Sequence, residues 1–378
     1  MTNFAVIGTG FSARSHLDAL RRVPGASVRA VVGRSVERAR ALADEYAIPD
    51  AYGNWEPVLA DPGIDVIDNC TPNNLHLEVN MAALTAGKHL LSEKPLALNS
   101  RDTALLTAAA AASGRLAAVC FTYRHYPMIA ELREQLNGHG GAGRPRTHLV
   151  HGRYLQDWLF RDDDWSWRID PALGGELRAV GDIGSHWIDL IQHVSGDTVS
   201  EVCADFGRLH ERRRRPLDEV ASFTAGKGER QSVPVTTEDY ANVLLRFRSG
   251  MLGQFSISQV CAGHKNDLRL LIESDAGSYE WIQEHPNFLK IGHRDGPNLE
   301  LQRDASQLSP AAAAITHYPN GHPEGWPDAL RNLLADFCSA LEQPERVVTV
   351  ASFAQAHQVM EVCEAIGRSA RERSWITV

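Results

Sequence analysis

Residues 3–16 read NFAVIGTGFSARSH, and this stretch decides the fold class. The apolar run at its start stops at Gly8, as a buried parallel strand does. Gly8, Gly10 and Ala13 then form a Gly-x-Gly-x-x-Ala turn that opens a helix. In such a turn the first glycine permits the bend, the second lets a diphosphate approach the backbone, and the alanine lets helix and strand pack closely. We therefore expect a dinucleotide at this helix N-terminus, against the alternative of a purely structural turn.

The segments that follow continue the same pattern of strands and helices. Strand-like apolar runs occupy residues 27–33, 65–72 and 89–92, and a helix is predicted over 36–46. Strands that alternate with helices predict right-handed crossovers in a parallel sheet. The N-terminal part of the chain is therefore expected to be an α/β domain with a doubly wound parallel sheet.

The end of the second predicted strand bears on the choice between NAD and NADP. An acidic residue there would bind the ribose hydroxyls of NAD, whereas an arginine accommodates the phosphate of NADP. The sequence has Arg34 and Ser35 and no acidic residue at this point. The two side chains could hold a phosphate together, which slightly favours NADP. In the alternative, Arg34 stacks on the adenine or faces solvent.

A second informative junction comes after the predicted strand 89–92, where the sequence reads Glu93-Lys94-Pro95. Ligands of open parallel sheets bind beyond the carboxyl ends of the strands. Lys94 is therefore expected at the nicotinamide end of the site, and Pro95 fixes the backbone beside it.

Residues 181–194, GDIGSHWIDLIQHV, have apolar side chains at helical spacing. Asp182 and His186 are four residues apart, and such pairs lie one above the other on a helix. An imidazole beside a carboxylate is suited to proton transfer near neutral pH. The alternatives are a helix cap with a surface pair, or a metal site. We predict no metal, because no further His, Cys or Glu cluster at ligand spacing accompanies the pair.

These motifs together resemble the Gfo/Idh/MocA family, the glucose–fructose oxidoreductase and inositol dehydrogenase type. The pieces that carry the resemblance are AVIGTGFSARSH, the Thr-Pro-Asn-x-x-His segment ending at His76, Glu93-Lys94-Pro95-Leu96 and GDIGSHWIDL. The resemblance implies a Rossmann domain over 1–122. For 123–378 it implies an α+β substrate-binding and oligomerisation domain with an open, mostly antiparallel sheet.

The resemblance also implies a nicotinamide cofactor and oxidation of a sugar or polyol. It maps the catalytic lysine, aspartate and histidine of the family onto Lys94, Asp182 and His186. A homodimer or homotetramer is expected, because the open sheets of the family often pair face to face. The residues expected to contact the cofactor are Gly8, Gly10, Phe11, Ser12, Arg34, Ser35, Thr71, Pro72, Asn73, His76, Glu93, Lys94, Pro95, Trp167 and Arg168.

The second part of the chain alternates polar and apolar residues in strand-like runs. Strands are predicted within 146–159, 240–258 and 268–292, and helices over 328–341 and 351–371. The arginine-rich stretch 208–238 has little apolar periodicity and is predicted to be a solvated loop.

Five of the eight tryptophans lie near the second-domain motifs, with polar side chains between them. Aromatic faces with a few hydrogen-bonding groups suit a sugar pocket. Core or subunit interface is the alternative explanation, because Trp and Arg are enriched there as well. The residues expected to contact substrate are Tyr123, Tyr154, Gln156, Asp157, Arg168, Arg178, His322 and Trp326.

The composition excludes several classes of protein. The chain has 378 residues and a net charge of −9, which argues against nucleic-acid or anionic-membrane binding. No apolar run approaches the roughly 20 residues that cross a bilayer. The start lacks a charged leader, and the six cysteines form no Cys-x-x-Cys pair. We expect a cytoplasmic protein with reduced, mostly buried thiols.

The sequence therefore predicts an NAD(P)-dependent dehydrogenase that oxidises a ring secondary alcohol of a sugar, glycoside or inositol-like polyol. One alternative is a redox-neutral glycosidase with tightly bound NAD, which oxidises, eliminates an aglycone and reduces again. The other is a non-catalytic dinucleotide-binding regulator. Release of aglycone without net cofactor consumption, or binding without turnover, would separate these alternatives.

Overall fold

The computed structural model describes residues 1–138, 143–217, 228–343, 345 and 349–378. The chain divides into two compact units. The first unit comprises Met1–Thr122, Ala172–Gly175 and Leu330–Met360. The second unit comprises Tyr123–Pro171, Glu176–Ala329 and Glu361–Val378.

A seven-stranded sheet forms the centre of the first unit. We number the strands in chain order, and those of this sheet are β1 Thr2–Ile7, β2 Ala26–Val32, β3 Asp50–Tyr52, β4 Val66–Asn69, β5 His89–Ser92, β6 Ala117–Val119 and β17 Ala351–Ser352. Their order is β17-β6-β5-β4-β1-β2-β3, and every neighbouring pair is parallel except β17 with β6. The predicted parallel, doubly wound sheet is confirmed.

Helices follow the strands of the first unit as the sequence pattern predicts. They are α1 Phe11–Leu20, α2 Val36–Glu45, α3 Glu56–Ala60, α4 His76–Thr85 and α5 Ser100–Ser113. Phe4, Ala5 and Val6 of the central strand β1 are fully buried, because side chains on both faces of a parallel sheet are covered. The predicted division assigned residues 330–360 to the second domain, whereas the structure groups them with the first unit.

The second unit is built on a nine-stranded sheet. Its strands are β7 Thr147–Leu155, β8 Val199–Gly207, β11 Tyr240–Phe247, β12 Leu252–Ser258, β13 Asp267–Ser274, β14 Ser278–Ile282, β15 Phe288–Gly292, β16 Leu299–Gln302 and β18 Ile376–Thr377. The order is β16-β15-β14-β13-β7-β12-β11-β8-β18. All pairs are antiparallel except the parallel pair β7 and β12. The mostly antiparallel sheet that the resemblance implies is confirmed.

The helices of the second unit include α6 Pro127–Leu136, α8 Ser185–Ser195 and α9 Pro310–Ala314. Further helices are α7 Pro171–Gly174, α10 Trp326–Glu342 and α11 Phe353–Glu372. Both predicted C-terminal helices are confirmed to within two residues at each end. The six cysteines are all free thiols, and four of them are buried.

The prediction of a solvated loop over 208–238 is wrong for its described residues. Strands β9 Arg212–Pro216 and β10 Arg230–Pro234 pair as an antiparallel ribbon, and residues 218–227 lie outside the described residues. Arg213 is fully buried in this ribbon, with its guanidinium on Asp239 at 2.7 Å. The prediction failed because a run of arginines has no apolar periodicity, while its charge partner lies 26 residues further along the chain.

Candidate active site

The glycine turn at the start of the chain has the geometry that a dinucleotide requires. Gly8 adopts φ +140°, and a Cβ there would lie 2.5 Å from the carbonyl oxygen of Cys70. Gly10 is the N-cap residue of helix α1, and a Cβ at Gly10 would have no neighbouring atom within 4 Å. Ala13 is fully buried against the sheet. A side chain is therefore excluded at Gly8, and open space lies above Gly10.

The N-terminus of α1 can receive a diphosphate. No side chain caps this helix, so its first backbone N–H groups carry partial positive charge toward the open space above Gly10. Phe11 is exposed, and Ser12 is half-buried. These features fit an NAD(P) diphosphate, because backbone donors and open space are what the group needs.

The end of β2 presents one arginine to solvent. Arg34 is exposed directly after the strand. Ser35 is the N-cap of α2, and its hydroxyl accepts a hydrogen bond from the backbone N–H of Arg38 at 3.3 Å. Ser35 therefore has a structural role, whereas the charge of Arg34 is accessible at the strand end.

The ends of β4 and β5 are linked by His76. Its Nδ1 lies 2.6 Å from the carbonyl oxygen of Pro95, and its Nε2 lies 2.9 Å from that of Thr71. His76 is fully buried, so it supports the two backbone turns from beneath. Asn73 is also buried, whereas Pro72 is exposed.

Lys94 follows β5 at the carboxyl edge of the sheet and is half-buried. Its backbone N–H donates to Glu93 Oε2 at 3.0 Å. The other oxygen of Glu93, Oε1, lies 3.3 Å from His16 Nε2, and His16 Nδ1 lies 2.9 Å from Asp68 Oδ2. The turn that presents Lys94 is therefore attached through Glu93 to a buried histidine on α1.

Two groups of side chains around His16 could hold a metal ion by residue type and distance. In the described part of the chain these groups are His16 with Asp68 and Cys70, and His16 with Glu93 and Cys120. His16 Nδ1 lies within 3.0 Å of both oxygens of Asp68, so a direct hydrogen bond already occupies this nitrogen. Burial raises the pKa of the Cys70 and Cys120 thiols, which disfavours thiolate ligands. The sequence-based expectation of no metal site stays a prediction.

Asp182 lies in the second unit, where two side chains bind it. Arg168 Nε donates to Asp182 Oδ1 at 3.2 Å, and Gln259 Nε2 donates to Asp182 Oδ2 at 2.8 Å. Residues 180–184 form a π-helical turn before α8 begins at Ser185. The prediction of a uniform α-helix over 181–194 is corrected accordingly. Such π-turns are frequent at functional sites.

His186, in the first turn of α8, is flanked by two tyrosines. Its ring centre lies 4.9 Å from that of Tyr123 and 6.4 Å from that of Tyr154. The tyrosine hydroxyls are 2.6 Å apart, and Tyr154 also donates to Asn266 Oδ1 at 2.5 Å. Gln156 Nε2 also donates to Asn266 Oδ1, at 3.0 Å. The second unit therefore holds a histidine beside a linked row of hydroxyl and amide groups.

The remaining predicted substrate residues have separate surroundings. The Arg178 side chain is fully buried and paired with Asp239. Asp157 accepts from Lys265 Nζ at 2.7 Å, and His322 is exposed. Trp326 is half-buried at the start of α10. The structure thus brings Tyr123, Tyr154 and Gln156 together around the side-chain amide of Asn266. Arg178, in contrast, forms a structural ion pair with Asp239.

Four residues at these sites were not singled out from the sequence: His16, Asp68, Gln259 and Asn266. His16 does have a sequence signal, because it lies three residues after Ala13 and therefore shares the buried face of α1. The partners of Gln259 and Asn266 lie more than 70 residues away along the chain. No spacing rule connects them.

The comparisons with known proteins agree over most of the chain. Residues 2–121 match the model of an oxidoreductase family with an NAD-binding Rossmann fold, and residues 130–280 match the GFO/IDH/MocA C-terminal domain. The chain belongs to the GFO/IDH/MocA family. This member of the family is an oxidoreductase whose N-terminal domain binds a nicotinamide dinucleotide.

Relatives of this family member cover its whole length. Levoglucosan dehydrogenase of Pseudarthrobacter phenanthrenivorans is 28% identical, over 100% of this chain and 98% of the relative. A solved oxidoreductase domain protein from Kribbella flavida is 30% identical, with TM-score 0.87 and full coverage of both chains. A solved levoglucosan dehydrogenase in complex with NADH and L-sorbose is 26% identical, with TM-score 0.88, over 100% of this chain and 98% of that one.

Among the described residues, no helix combines the length and apolar character that crossing a membrane requires.

Proposed function

We propose that the protein oxidises a secondary ring alcohol of a sugar, glycoside or inositol-like cyclic polyol with NAD(P). The alcohol carbon loses a hydride and the hydroxyl loses a proton, which leaves a ketone, NAD(P)H and H⁺. When bound, the nicotinamide supplies the hydride acceptor. The substrate is a small carbohydrate or polyol, with no nucleic acid and no membrane involved.

The observation that carries the proposal is the carboxyl edge of the sheet in the first unit. There the open glycine turn at Gly10 and the half-buried Lys94 follow strands β1 and β5 of one parallel sheet. Ligands of such sheets bind along this edge. A lysine there supplies a positive charge that can orient an alcohol oxygen.

We assign the proton transfer to Lys94, Asp182 and His186. In one form of the step Lys94 orients the alcohol oxygen as an ammonium while the neutral imidazole of His186 takes the proton. In the other form Lys94 takes the proton as a neutral amine. Asp182 positions these groups while Arg168 and Gln259 hold its two oxygens. The hydroxyls of Tyr123 and Tyr154 and the amides around them offer the neutral hydrogen-bonding groups that polyols need.

The relatives support the substrate class. One relative is named 1,5-anhydro-D-fructose reductase. A solved relative is a levoglucosan dehydrogenase in complex with NADH and levoglucosan. It is 26% identical, and the match covers 100% of this chain and 99% of that one. One name describes a reductase of a sugar derivative, and the other describes a dehydrogenase bound to NADH and levoglucosan. We extend this substrate class, but no single compound, to the present chain.

We further propose that NADP is slightly preferred, and that the protein is a cytoplasmic homodimer or homotetramer. The exposed charge of Arg34 supports the first point, because a guanidinium binds a phosphate well. Tyr240, Leu244 and Leu252 are exposed on neighbouring strands β11 and β12 and support self-association. Light scattering after size exclusion measures the mass of the assembly directly.

The test of the proposed function is nicotinamide absorbance at 340 nm after mixing protein with NAD or NADP and a panel of inositols, free sugars and glycosides. Reduction of cofactor with one class of cyclic polyol is the expected result. If no compound of the panel reduces the cofactor and a glycoside releases its aglycone, the dehydrogenase proposal is overturned in favour of the redox-neutral glycosidase. Cofactor binding with neither reaction would favour the regulator.

A further inference from the structure

His16 lies at the centre of a buried chain of charged groups in the first unit. Its Nδ1 lies 3.0 and 2.9 Å from the two oxygens of Asp68, at the end of β4. Its Nε2 lies 3.3 Å from Glu93 Oε1, after β5. The second oxygen of Glu93 accepts the backbone N–H of Lys94 at 3.0 Å. One imidazole thus joins helix α1 to the peptide that carries Lys94.

The surroundings of this chain make charge pairing obligatory. His16 is 1% exposed and Asp68 is fully buried. A buried carboxylate without a partner is strongly unfavourable, and here two carboxylates face one imidazole. The imidazole must therefore be protonated to donate to both of them, since a neutral ring has one donor only.

Neighbouring groups leave this arrangement intact. Cys70 Sγ lies 3.7 Å from Asp68 Oδ1, and Cys120 Sγ lies 3.6 Å from His16 Nε2. Burial raises the pKa of both thiols, so they stay neutral. Burial alone would lower the pKa of His16, but Asp68, as the largest of several neighbouring groups that act together, holds that pKa well above its usual range. Burial likewise opposes ionisation of Glu93, yet His16 and, to a smaller degree, Lys94 lower the pKa of that carboxyl to about 2.

We propose that His16 is a positioning residue: as an imidazolium between Asp68 and Glu93, it fixes the Glu93–Lys94 peptide and thereby aims the side chain of Lys94. His16 lies on α1, the helix whose N-terminus fits the diphosphate. The same helix therefore serves the cofactor at its first turn and the reacting lysine at its second. The proposal rests on the dehydrogenase function proposed above for its kinetic consequence, but not for its electrostatic one.

The test compares wild type with His16→Gln, Glu93→Gln and the double variant His16→Gln/Glu93→Gln. Glutamine keeps one hydrogen bond and removes the charge. His16→Gln is expected to lower kcat by about 10- to 100-fold, because small misplacements of a reacting group have costs of this size. The dissociation constant of the cofactor, measured by fluorescence, is expected to change by less than about threefold, since Gly8 and Gly10 are untouched.

The pH profile distinguishes positioning from a general structural role. In His16→Gln the Glu93 carboxylate loses the imidazolium and keeps the charge of Lys94 nearby. Its pKa therefore rises, and a new acid limb appears in the kcat profile. The double variant is expected to lose this limb and to recover part of kcat. His16→Gln/Asp68→Asn is expected to retain the limb, because Asp68 does not contact Lys94. His76 also faces Glu93, and it is unchanged in every variant.

Thermal unfolding between pH 5 and 10 gives a readout that needs no substrate. The raised pKa of His16 stabilises the folded state fully below about pH 6.5, and this contribution is lost as pH rises through the folded-state pKa. Wild type should therefore lose melting temperature toward alkaline pH more steeply than His16→Gln. His357→Gln is the matched control, because it removes another histidine of the first unit, bonded to Thr103 Oγ1 at 2.8 Å.

Each outcome decides a separate point. A kcat and pH profile of His16→Gln equal to wild type would overturn the positioning role. Identical alkaline melting profiles in wild type and His16→Gln would overturn the charged state of His16. If wild type oxidises no polyol, the proposed function fails, while the melting profiles still test the charge on His16. Loss of cofactor binding with unchanged kcat at saturation would assign His16 to cofactor binding instead.

Discussion

Arg168 Nε donates to Asp182 Oδ1 over 3.2 Å, and the same guanidinium lies 4.4 Å from the centre of the Trp167 ring. The tryptophan-rich loop is thereby attached to the π-helical turn that carries Asp182. An arginine held by a carboxylate and an aromatic face loses both contacts when it is truncated.

Arg168→Ala is expected to lower kcat/KM for the polyol by about 10-fold or more, because a lost charge-assisted hydrogen bond is worth about 1.5–3 kcal/mol. Steady-state kinetics with the best substrate of the panel measures this loss. Arg161→Ala is the control, since Arg161 is an exposed arginine of the same loop. Equal kinetics in the two variants would remove Arg168 from the site.

Lys94→Ala is expected to lower kcat by about 10²–10⁴-fold, as removal of a general acid–base or orienting group does. Single-turnover reduction of the cofactor measures the chemical step directly. Lys290→Ala serves as the control, because Lys290 is an exposed lysine on β15. Near-normal turnover in Lys94→Ala would exclude this lysine from the reaction.

Arg34→Ala separates the explanations of the arginine after β2. If Arg34 binds the phosphate of NADP, kcat/KM for NADP falls by about tenfold or more while that for NAD stays constant. An equal loss with both cofactors would mean that Arg34 stacks on the adenine. No change with either would mean that it faces solvent. Arg29→Ala, at an exposed position on the same strand, controls for the loss of charge.

Asp239→Asn is expected to lower the free energy of unfolding by about 3–5 kcal/mol, because it leaves buried guanidinium groups without their carboxylate. Arg178 and Arg213 both bind Asp239, and all three side chains are fully buried. Urea denaturation followed by circular dichroism measures the change. Asp162→Asn removes an exposed partner of Arg214 and is expected to leave the free energy of unfolding nearly unchanged.

The same carboxylate predicts a pH dependence of stability. Burial alone would raise the pKa of Asp239, but Arg178 and Arg213 lower it below the usual range. A lowered folded-state pKa stabilises the fold above about pH 4, and this contribution is lost as pH falls through the folded-state pKa. Asp239→Asn should therefore flatten the acid side of the stability profile. An unchanged acid limb in the variant would contradict this assignment.

Gly152→Ala is expected to cost about 1–3 kcal/mol or more, as overpacking of a dense core does. A Cβ at Gly152 would lie 2.1 Å from Nε1 of Trp187, whose ring stacks on Phe255 with centres 4.3 Å apart. The melting temperature reports the loss. Gly296→Ala is the control, because a Cβ there meets no atom within 4 Å. Equal melting temperatures would mean that Trp187 moves without cost.

Local patterns were sufficient to predict the parts of the fold that local chemistry determines. The need for glycine at position 8 was predicted from the Gly-x-Gly-x-x-Ala pattern alone, whereas the Cys70 carbonyl that excludes a side chain there was found only in the structure. Ion pairs between residues far apart in the chain could not be predicted from the sequence. Arg213 was predicted to be part of a solvated run because its charge partner, Asp239, lies far along the chain, just before β11.

The same limit applies to the candidate site. Asp182 and His186 were found from their spacing, but the partners of Asp182 are Arg168 and Gln259, which approach from a loop and a strand end. Hydrogen bonds between segments that are distant in the sequence depend on the complete fold, so residue spacing does not predict them. Residue spacing therefore pointed to the groups that we propose to react and missed the groups that hold Asp182.

The parallel pair of β7 and β12 has a consequence for the order of folding. β7 lies between β12 and β13, and both partners are made about 100 residues later in synthesis. During translation β7, the middle strand of the nine-stranded sheet, therefore stays unpaired until β12 and β13 have been made. A chain with such distant pairings is expected to refold slowly from denaturant, and truncation before residue 252, where β12 begins, should leave β7 unpaired and prone to aggregation.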